Sequence, residues 1–189
     1  FAARTAGAGG AYLEAPVLGS IPEATAGTLI VMAGGDAGTF ERWRPVLEVL
    51  GEKVTLIGPV GHAAALKLAM NQLIAAMATT YATGLELVRS HGVDVGHYID
   101  TVRSSALYSR AFDKKLPRML DRNFATPNSP ARHMLKDVDL CLDAARTQGL
   151  GTELLAALHD LFARTLDLGL ADADYSAVAA AVAHGQKER

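Results

Sequence analysis

The sequence has little of what marks several specialised classes of protein. It has one cysteine, Cys141, among 189 residues, so no disulfide can form within the chain, and we expect a reducing, cytoplasmic location. Lys and Arg number 18 against 20 Asp and Glu, and a chain without a basic excess is not expected to bind nucleic acid. The long uncharged stretch 68–85 contains Asn, Gln, Thr and Gly residues. This mixture predicts a buried helix and no membrane span.

Signatures of metal binding and of serine hydrolysis are missing as well. The six histidines are scattered along the sequence, and the single cysteine has no cysteine partner, so no pair has the spacing of metal ligands. The sequence also has no nucleophile-elbow signature. We therefore expect no metal cofactor. Apolar residues, in contrast, are abundant: they make up 50% of the chain, as in an ordinary globular protein.

Residues 1–60 alternate strand and turn patterns. Short apolar runs that end at glycine-containing turns occur at 12–17, 28–33 and 53–57. The second run is nearly uninterrupted, which predicts a strand buried on both faces. Asp36 follows it and can cap a helix that begins near Ala37. These elements are too few to close an α/β sheet, so residues 1–60 predict the last part of one. The Ala-rich opening likewise predicts that the sequence starts within an element.

From Gly61 onward the apolar spacing follows the 3.6-residue period of a helix. The long pattern covers 62–90 and stops at His91-Gly92. Shorter helices are predicted near 94–102, 110–120, 131–148, 152–167 and 175–183, the first and last of them capped by Asp94 and Asp174. The polar segment 186–189 is expected to fray. The sequence therefore predicts an all-helical domain over 61–189 after the α/β portion over 1–60.

Residues that could take part in catalysis or ligand binding occur in three separate segments of the sequence. Lys67 and Asn71 lie four residues apart in the long helix, so both project from one face and could bind a substrate oxygen and move a proton. The spacing alone favours an ordinary surface lysine whose charged end reaches the solvent. The turn at Gly19-Ser20 either offers backbone N–H groups to an anion or is an ordinary turn. The pair Lys136-Asp137 has the usual composition of a solvated helix surface.

Taken together, these segments resemble the β-hydroxyacid dehydrogenase family, which includes 3-hydroxyisobutyrate dehydrogenases, tartronate semialdehyde reductases and glyoxylate/succinic semialdehyde reductases. The matching segments are Tyr-Leu-Glu-Ala-Pro-Val-Leu-Gly-Ser at 12–20, Ala-Gly-Thr-Leu-Ile-Val-Met-Ala-Gly-Gly at 26–35, Gly-Pro-Val-Gly at 58–61 with Lys-Leu-Ala-Met-Asn at 67–71, Leu-Lys-Asp-Val-Asp-Leu at 135–140 and Asp-Tyr-Ser-Ala-Val at 174–178. The resemblance covers essentially the whole chain. It implies the end of a Rossmann sheet, followed by an all-α domain like the carboxyl-terminal domain of 6-phosphogluconate dehydrogenase.

The resemblance also implies an activity, which is hydride transfer between NAD or NADP and a small hydroxyacid or semialdehyde. Lys67 is similar to the family's catalytic lysine, which protonates the carbonyl oxygen, and Asn71 to its substrate-orienting asparagine. The loop Leu18-Gly19-Ser20 is similar to the one that binds the substrate carboxylate. Lys136 is similar to a lysine that reaches the cofactor, with Asp137 as its companion. A homodimer or homotetramer formed through the helical domain is implied in the same way.

The sequence departs from the family pattern at several points. Leu18 stands where the family usually has Ser, and the loss of a hydroxyl donor weakens discrimination among polar substrates and disfavours 3-hydroxyisobutyrate itself. Ser129 stands seven residues before Lys136, where many glyoxylate reductases have Phe, which predicts a reshaped acyl pocket. The Gly-x-Gly-x-x-Gly turn that binds the pyrophosphate is not found in the 189 residues. We expect it upstream, in a segment of about 100 residues.

Two other interpretations of the sequence stay open at this point. The chain could be a non-catalytic helical module that dimerises through the apolar helix at 66–88. It could also be an imine reductase, which shares the architecture. Lys67 argues against the second alternative, because those enzymes tend to carry Asp or Tyr at the proton-donating position. A glycine-rich strand–turn–helix upstream would favour a dehydrogenase over a non-catalytic helical module.

Overall fold

The computed structural model describes residues 1–184, so the expected fraying of 186–189 lies outside the described residues. The chain divides into two compact units, Phe1–Met70 and Asn71–Arg189. The long helix α4 (His62–Ser90) begins in the first unit and continues in the second. Its bounds are those that the apolar period predicted.

The first unit is a small mixed sheet with helices. Its strands are β1 (Leu13–Glu14), β2 (Val17–Leu18), β3 (Ile30–Gly35) and β4 (Lys53–Gly58). Both β1 and β2 pair with β3 in the antiparallel direction, and β4 pairs with it in parallel. The helices before α4 are α1 (Ala2–Gly7), α2 (Ile21–Ala26) and α3 (Ala37–Leu50). This arrangement confirms the α/β character predicted for the start of the chain.

The core of this unit lies around the central strand. Residues 31–34 of β3 are all buried, as predicted for a strand covered on both faces. Val31 and Ala33 pack with Phe40 and Leu47 of α3. The Oδ2 atom of Asp36 accepts a hydrogen bond from the Thr39 N–H at 2.8 Å, which confirms the predicted cap of α3.

One prediction for this unit needs correction. The run 12–17 was expected to form one strand, but it forms β1 and β2 with an interruption at Ala15-Pro16. The Pro16 carbonyl still accepts from the Met32 N–H at 2.9 Å. Proline has no N–H to return to the ladder, and the pairing therefore breaks at this residue.

The second unit is helical throughout its described part. After α4 come α5 (Val95–Ser104), α6 (Arg110–Asp121), α7 (Ala131–Thr147), α8 (Glu153–Thr165), a 3₁₀ turn (Tyr175–Ala177) and α9 (Val178–Ala183). Helix α8 ends before the predicted residue 167 and runs into a π-helical segment, Leu166–Leu170, in which Gly169 has φ 78°. The core includes Leu85, Met119, Val138, Phe162 and Val178. No described helix is long and apolar enough to cross a membrane.

Candidate functional site

The amino terminus of α4, the helix that carries Lys67, is held by Glu14. The Oε1 atom of Glu14 accepts hydrogen bonds from the N–H groups of Gly61 at 2.8 Å, Ala63 at 3.0 Å and Ala64 at 3.3 Å. The first N–H groups of a helix lack partners within the helix, and a carboxylate beside them also meets the positive end of the helix dipole. Glu14 therefore fixes the first turn of α4, and the partly buried Lys67 follows in the second.

The carboxylate of Glu14 needs a glycine beside it. Gly34 of β3 is buried and is paired with Glu14 in the sheet register. A Cβ atom added at Gly34 would lie 2.9 Å from Cγ of Glu14, which is too close for carbon atoms. Because the neighbouring strand leaves this space, the Glu14 side chain can reach the start of α4.

A cleft of about 590 Å³ opens at the carboxyl ends of β3 and β4. Its lining consists of Gly35, Asp36, Ala37, Leu56, Gly58, Pro59 and Val60. Ligands of open α/β sheets bind outside the carboxyl ends of the strands. Small and apolar residues predominate here and neither Lys nor Arg is among them. Because most of these residues are small, the cleft leaves room for a flat ring.

The loop predicted to bind a substrate carboxylate follows β2, which ends at Leu18. Gly19 has φ 125°, and an added Cβ atom would lie 2.9 Å from Cβ of Glu23. The Ser20 N–H donates to Oε2 of Glu23 at 2.8 Å, and the Ser20 hydroxyl donates to the same oxygen at 3.0 Å. A carboxylate of the chain itself therefore already occupies the donors of Ser20. The Ser20-x-x-Glu23 spacing of a capping box is a sequence signal for this contact, and our sequence analysis missed it.

Three of the residues singled out from the sequence meet in the second unit. Asn71 is 7% exposed, and its Nδ2 atom donates to Oδ2 of Asp137 at 2.9 Å. Lys136 Nζ lies 2.7 Å from Oδ1 of the same carboxylate, and the Lys136 side chain is 63% exposed. Asp137 thus joins α7 to α4, orients the Asn71 amide and leaves most of Lys136 accessible to a ligand.

A buried ion pair in the second unit was missed by our sequence analysis. Nζ of Lys115 lies 2.9 and 2.8 Å from the two carboxylate oxygens of the fully buried Asp174. Asp174 also accepts from the Ser176 hydroxyl at 2.7 Å and the Ser176 N–H at 3.1 Å, which confirms its predicted capping role. Lys115 Nζ lies 4.3 Å from the centre of the Tyr175 ring. The sequence signal for this pair is a lysine on the apolar face of α6, between Phe112 and Met119.

Burial and charge act against each other in this cluster. Burial alone raises the pKa of Asp174, but hydrogen bonds from Lys115 and Ser176, with the charge of Lys115, bring that pKa below its ordinary value. Burial also raises the pKa of Tyr175. The pair is a structural anchor that links α6 to the turn before α9.

Among residues 1–184, no group of three or more His, Cys, Asp or Glu side chains could hold a metal ion.

Comparison with known proteins adds to this geometry. Residues 61–182 match the family model described as NAD-binding of NADP-dependent 3-hydroxyisobutyrate dehydrogenase. Residues 1–58 match the NAD binding domain of 6-phosphogluconate dehydrogenase. Glyoxylate/succinic semialdehyde reductase 1 of Arabidopsis thaliana is 34% identical over 176 residues, which cover 93% of this chain and 61% of the relative. The chloroplastic reductase 2 of the same plant is 33% identical over 170 residues, covering 90% of this chain and 47% of the relative.

A solved structure shows the same fold. The crystal structure of 3-hydroxyisobutyrate dehydrogenase from Salmonella typhimurium superposes with a TM-score of 0.84 at 26% identity, covering 95% of this chain and 63% of that one. The chain thus spans between 47% and 63% of the length of these three proteins. The matches confirm a Rossmann-like end with a helical domain and an NAD(P) cofactor, and they do not favour an imine reductase or a non-catalytic module. The chain belongs to the β-hydroxyacid dehydrogenase family.

Proposed function

We propose that the complete protein transfers hydride between NAD(P) and a small hydroxyacid or semialdehyde, with Lys67 as the general acid and base. The observation that carries this proposal is the placement of Lys67 in the second turn of α4, behind a helix start that Glu14 holds in place. Asn71 follows one turn later in the same helix. The two plant reductases, named for glyoxylate and succinic semialdehyde, support the substrate class.

The chemistry divides between the cofactor and the chain. The bound cofactor supplies or accepts the hydride at its nicotinamide ring, and the small residues at the ends of β3 and β4 would hold that ring. The Lys67 ammonium gives a proton to the substrate carbonyl oxygen during reduction and takes it back during oxidation. Its positive charge also stabilises the negative charge that develops on this oxygen.

The remaining residues position the reactants. Asn71, whose amide is oriented by Asp137, would hydrogen-bond the substrate beside its reacting carbon. Lys136, whose side chain is largely exposed, would bind the cofactor. Leu18, Gly19 and Ser20 would lie against the end of the substrate that does not react. A cytoplasmic location and a homodimer or homotetramer formed through the helical unit stay predictions from the sequence.

The decisive experiment replaces Lys67 by Met in the complete protein. We expect turnover with NADPH or NADH to fall by about 10²- to 10⁴-fold, the range for loss of a general acid, while binding of the reduced cofactor changes by less than about twofold, since Lys67 is proposed to act on the substrate oxygen. Nicotinamide fluorescence measures the binding, and absorbance of the reduced cofactor measures turnover.

A matched control for this experiment is Lys53→Met, which changes an exposed lysine at the start of β4 and is expected to leave turnover unchanged. Undiminished turnover in Lys67→Met would contradict the proposed role of Lys67. Failure of the unaltered protein to bind either cofactor would contradict the proposed activity.

A further inference from the structure

The loop between α6 and α7, residues 122–130, contains an unusual backbone conformation. Within residues 1–184, Arg122 and Thr126 are the two non-glycine residues with positive φ, at 53° and 52°. Arg122 ends α6 in the left-handed conformation, which is common at the end of a helix. Thr126 ends no helix, and a β-branched residue adopts this conformation only where its surroundings impose it. Its side chain is exposed, so polar contacts of the backbone have to hold it there.

Arg118 of α6 supplies these contacts. Its Nη1 atom donates a hydrogen bond to the Ala125 carbonyl at 2.5 Å, and its Nη2 atom donates to the Thr126 carbonyl at 3.0 Å. The Thr126 hydroxyl also donates to the Ala125 carbonyl, at 2.7 Å. The two carbonyls belong to the peptide units on either side of the Thr126 Cα atom. One guanidinium fork therefore fixes both of the units that define φ and ψ of this residue.

The other end of the loop is fastened to the segment 173–175, which precedes α9. The Tyr175 N–H donates to the Ser129 carbonyl at 3.0 Å. The N–H of Ala131, the first residue of α7, donates to the Ala173 carbonyl at 2.8 Å. The loop is thus held on one side by α6 and on the other by this segment, and α7 begins directly after it.

Helix α7 carries Asp137, whose carboxylate accepts a hydrogen bond from the Asn71 amide. Asp137 lies six residues after Ala131, which is about 9 Å along the helix axis. A helix of this length moves as one piece, so a shift or rotation of its start displaces the Asp137 carboxylate as well.

We propose that Arg118 is a positioning residue for the site around Asn71. By holding Thr126 in the left-handed conformation, it fixes the start of α7 and, through this helix, the Asp137 carboxylate that orients the Asn71 amide. This inference rests on the proposed function, because it takes Asn71 to bind the substrate. An Arg118 that only closed the loop would leave the Asn71 amide where it is.

The first test needs no turnover and uses NMR of the complete protein labelled with ¹⁵N-asparagine. Of the three asparagines among the 189 residues, two lie in the loop at 122–130 and the third is Asn71, whose signals are assigned by their loss in Asn71→Ala. We expect the Asn71 side-chain amide signals to shift in Arg118→Met in the same direction as in Asp137→Ala. Arg146→Met, at an exposed position near the other end of α7, should leave them in place.

A more conservative variant guards against loss of folding. Arg118→Lys keeps a charged donor but not the fork, and should give a smaller shift in the same direction. Unchanged Asn71 signals in the folded Arg118 variants would overturn the inference, because the loop would then lose its contacts without an effect on the site.

The second test is kinetic. Arg118→Met should lower kcat/KM by about tenfold, Arg118→Lys should lower it less, and Arg146→Met should leave it unchanged. In a protein that already carries Asp137→Ala, Arg118→Met should cause a further loss of less than about twofold, since two changes that act through one contact are not additive. A further loss of about tenfold would overturn the inference, because Arg118 would then act independently of Asp137.

The change Thr126→Gly isolates the backbone conformation. Glycine adopts positive φ without strain, so the loop then needs less help from Arg118. In the Thr126→Gly protein, Arg118→Met should therefore lower kcat/KM by about threefold or less. A loss as large as that in the protein with Thr126 would overturn the inference. Absence of turnover in the unaltered protein would contradict the proposed function, and the NMR comparison would still decide the role of Arg118.

Discussion

The buried pair of Lys115 and Asp174 gives the sharpest prediction about stability. Their side chains are 10% and 0% exposed, with Nζ 2.8 Å from Oδ2. Lys115→Met keeps most of the side-chain volume but leaves a buried carboxylate facing the neutral donors of Ser176 and the Asn128 N–H, which lies 3.3 Å away. Removing one partner of a buried pair costs about 3–5 kcal/mol. Because these neutral donors remain, we expect a loss of about 3 kcal/mol at pH 7, near the lower limit.

The dependence of this loss on pH separates the electrostatic cause from simple loss of packing. Asp174 has a lowered pKa in the folded protein, so the stability it contributes is present above the unfolded-state pKa and disappears as the pH falls through the folded-state value. Without Lys115 the pKa of Asp174 should rise, and protonation then removes the buried charge. The difference in unfolding free energy between the two proteins should therefore shrink as the pH falls toward about 4.

Urea unfolding followed by circular dichroism between pH 4 and pH 8 measures this difference. Arg110→Met at the exposed start of α6 is the control and should cost less than about 0.5 kcal/mol. A loss below about 1 kcal/mol for Lys115→Met, against the expected 3, or a loss that does not change with pH, would refute the assigned role of the charge.

Two further changes probe the residues around the site. Glu14→Ala removes the acceptor of three N–H groups at the start of α4 and should lower the unfolding free energy by about 1–2 kcal/mol, as for loss of a helix cap. Glu14→Gln keeps an acceptor and should lose less, and urea unfolding that gave equal stability for all three proteins would contradict the cap. Asp137→Ala frees the Asn71 amide and Lys136 and should reduce kcat/KM by about tenfold to a hundredfold. The exposed Asp143→Ala on the same helix should leave kcat/KM unchanged, and an equal reduction in both variants would contradict the positioning role of Asp137.

Much of the fold could be predicted because its signals are local. The uninterrupted apolar period over 62–90 gave both ends of α4. Asp36 and Asp94 were identified as caps from the polar residue before an apolar run, and each accepts a hydrogen bond from an N–H two or three residues later. Short-range patterns of this kind do not depend on how the rest of the chain folds.

The contacts that shape the site join residues distant in sequence, and local patterns do not contain them. Glu14 lies 47 residues before Gly61, and Lys115 lies 59 residues before Asp174. Asn71 and Asp137 were both identified, but the hydrogen bond across 66 residues could be found only from the structure. Glu23 is the exception, since its contact with Ser20 spans three residues and follows a known pattern.

The close approach of Gly34 to Glu14 makes two positions of the sequence depend on each other. A larger residue at 34 would push the carboxylate away from the start of α4, and the three N–H groups there would then need another acceptor. A shorter acid at 14 would relieve the crowding, but its carboxylate would lie one methylene group farther from these N–H groups. The residues at positions 14 and 34 therefore have to be chosen together in any redesign of this sheet. The two positions are twenty apart in the sequence, and neither residue is proposed to touch the substrate.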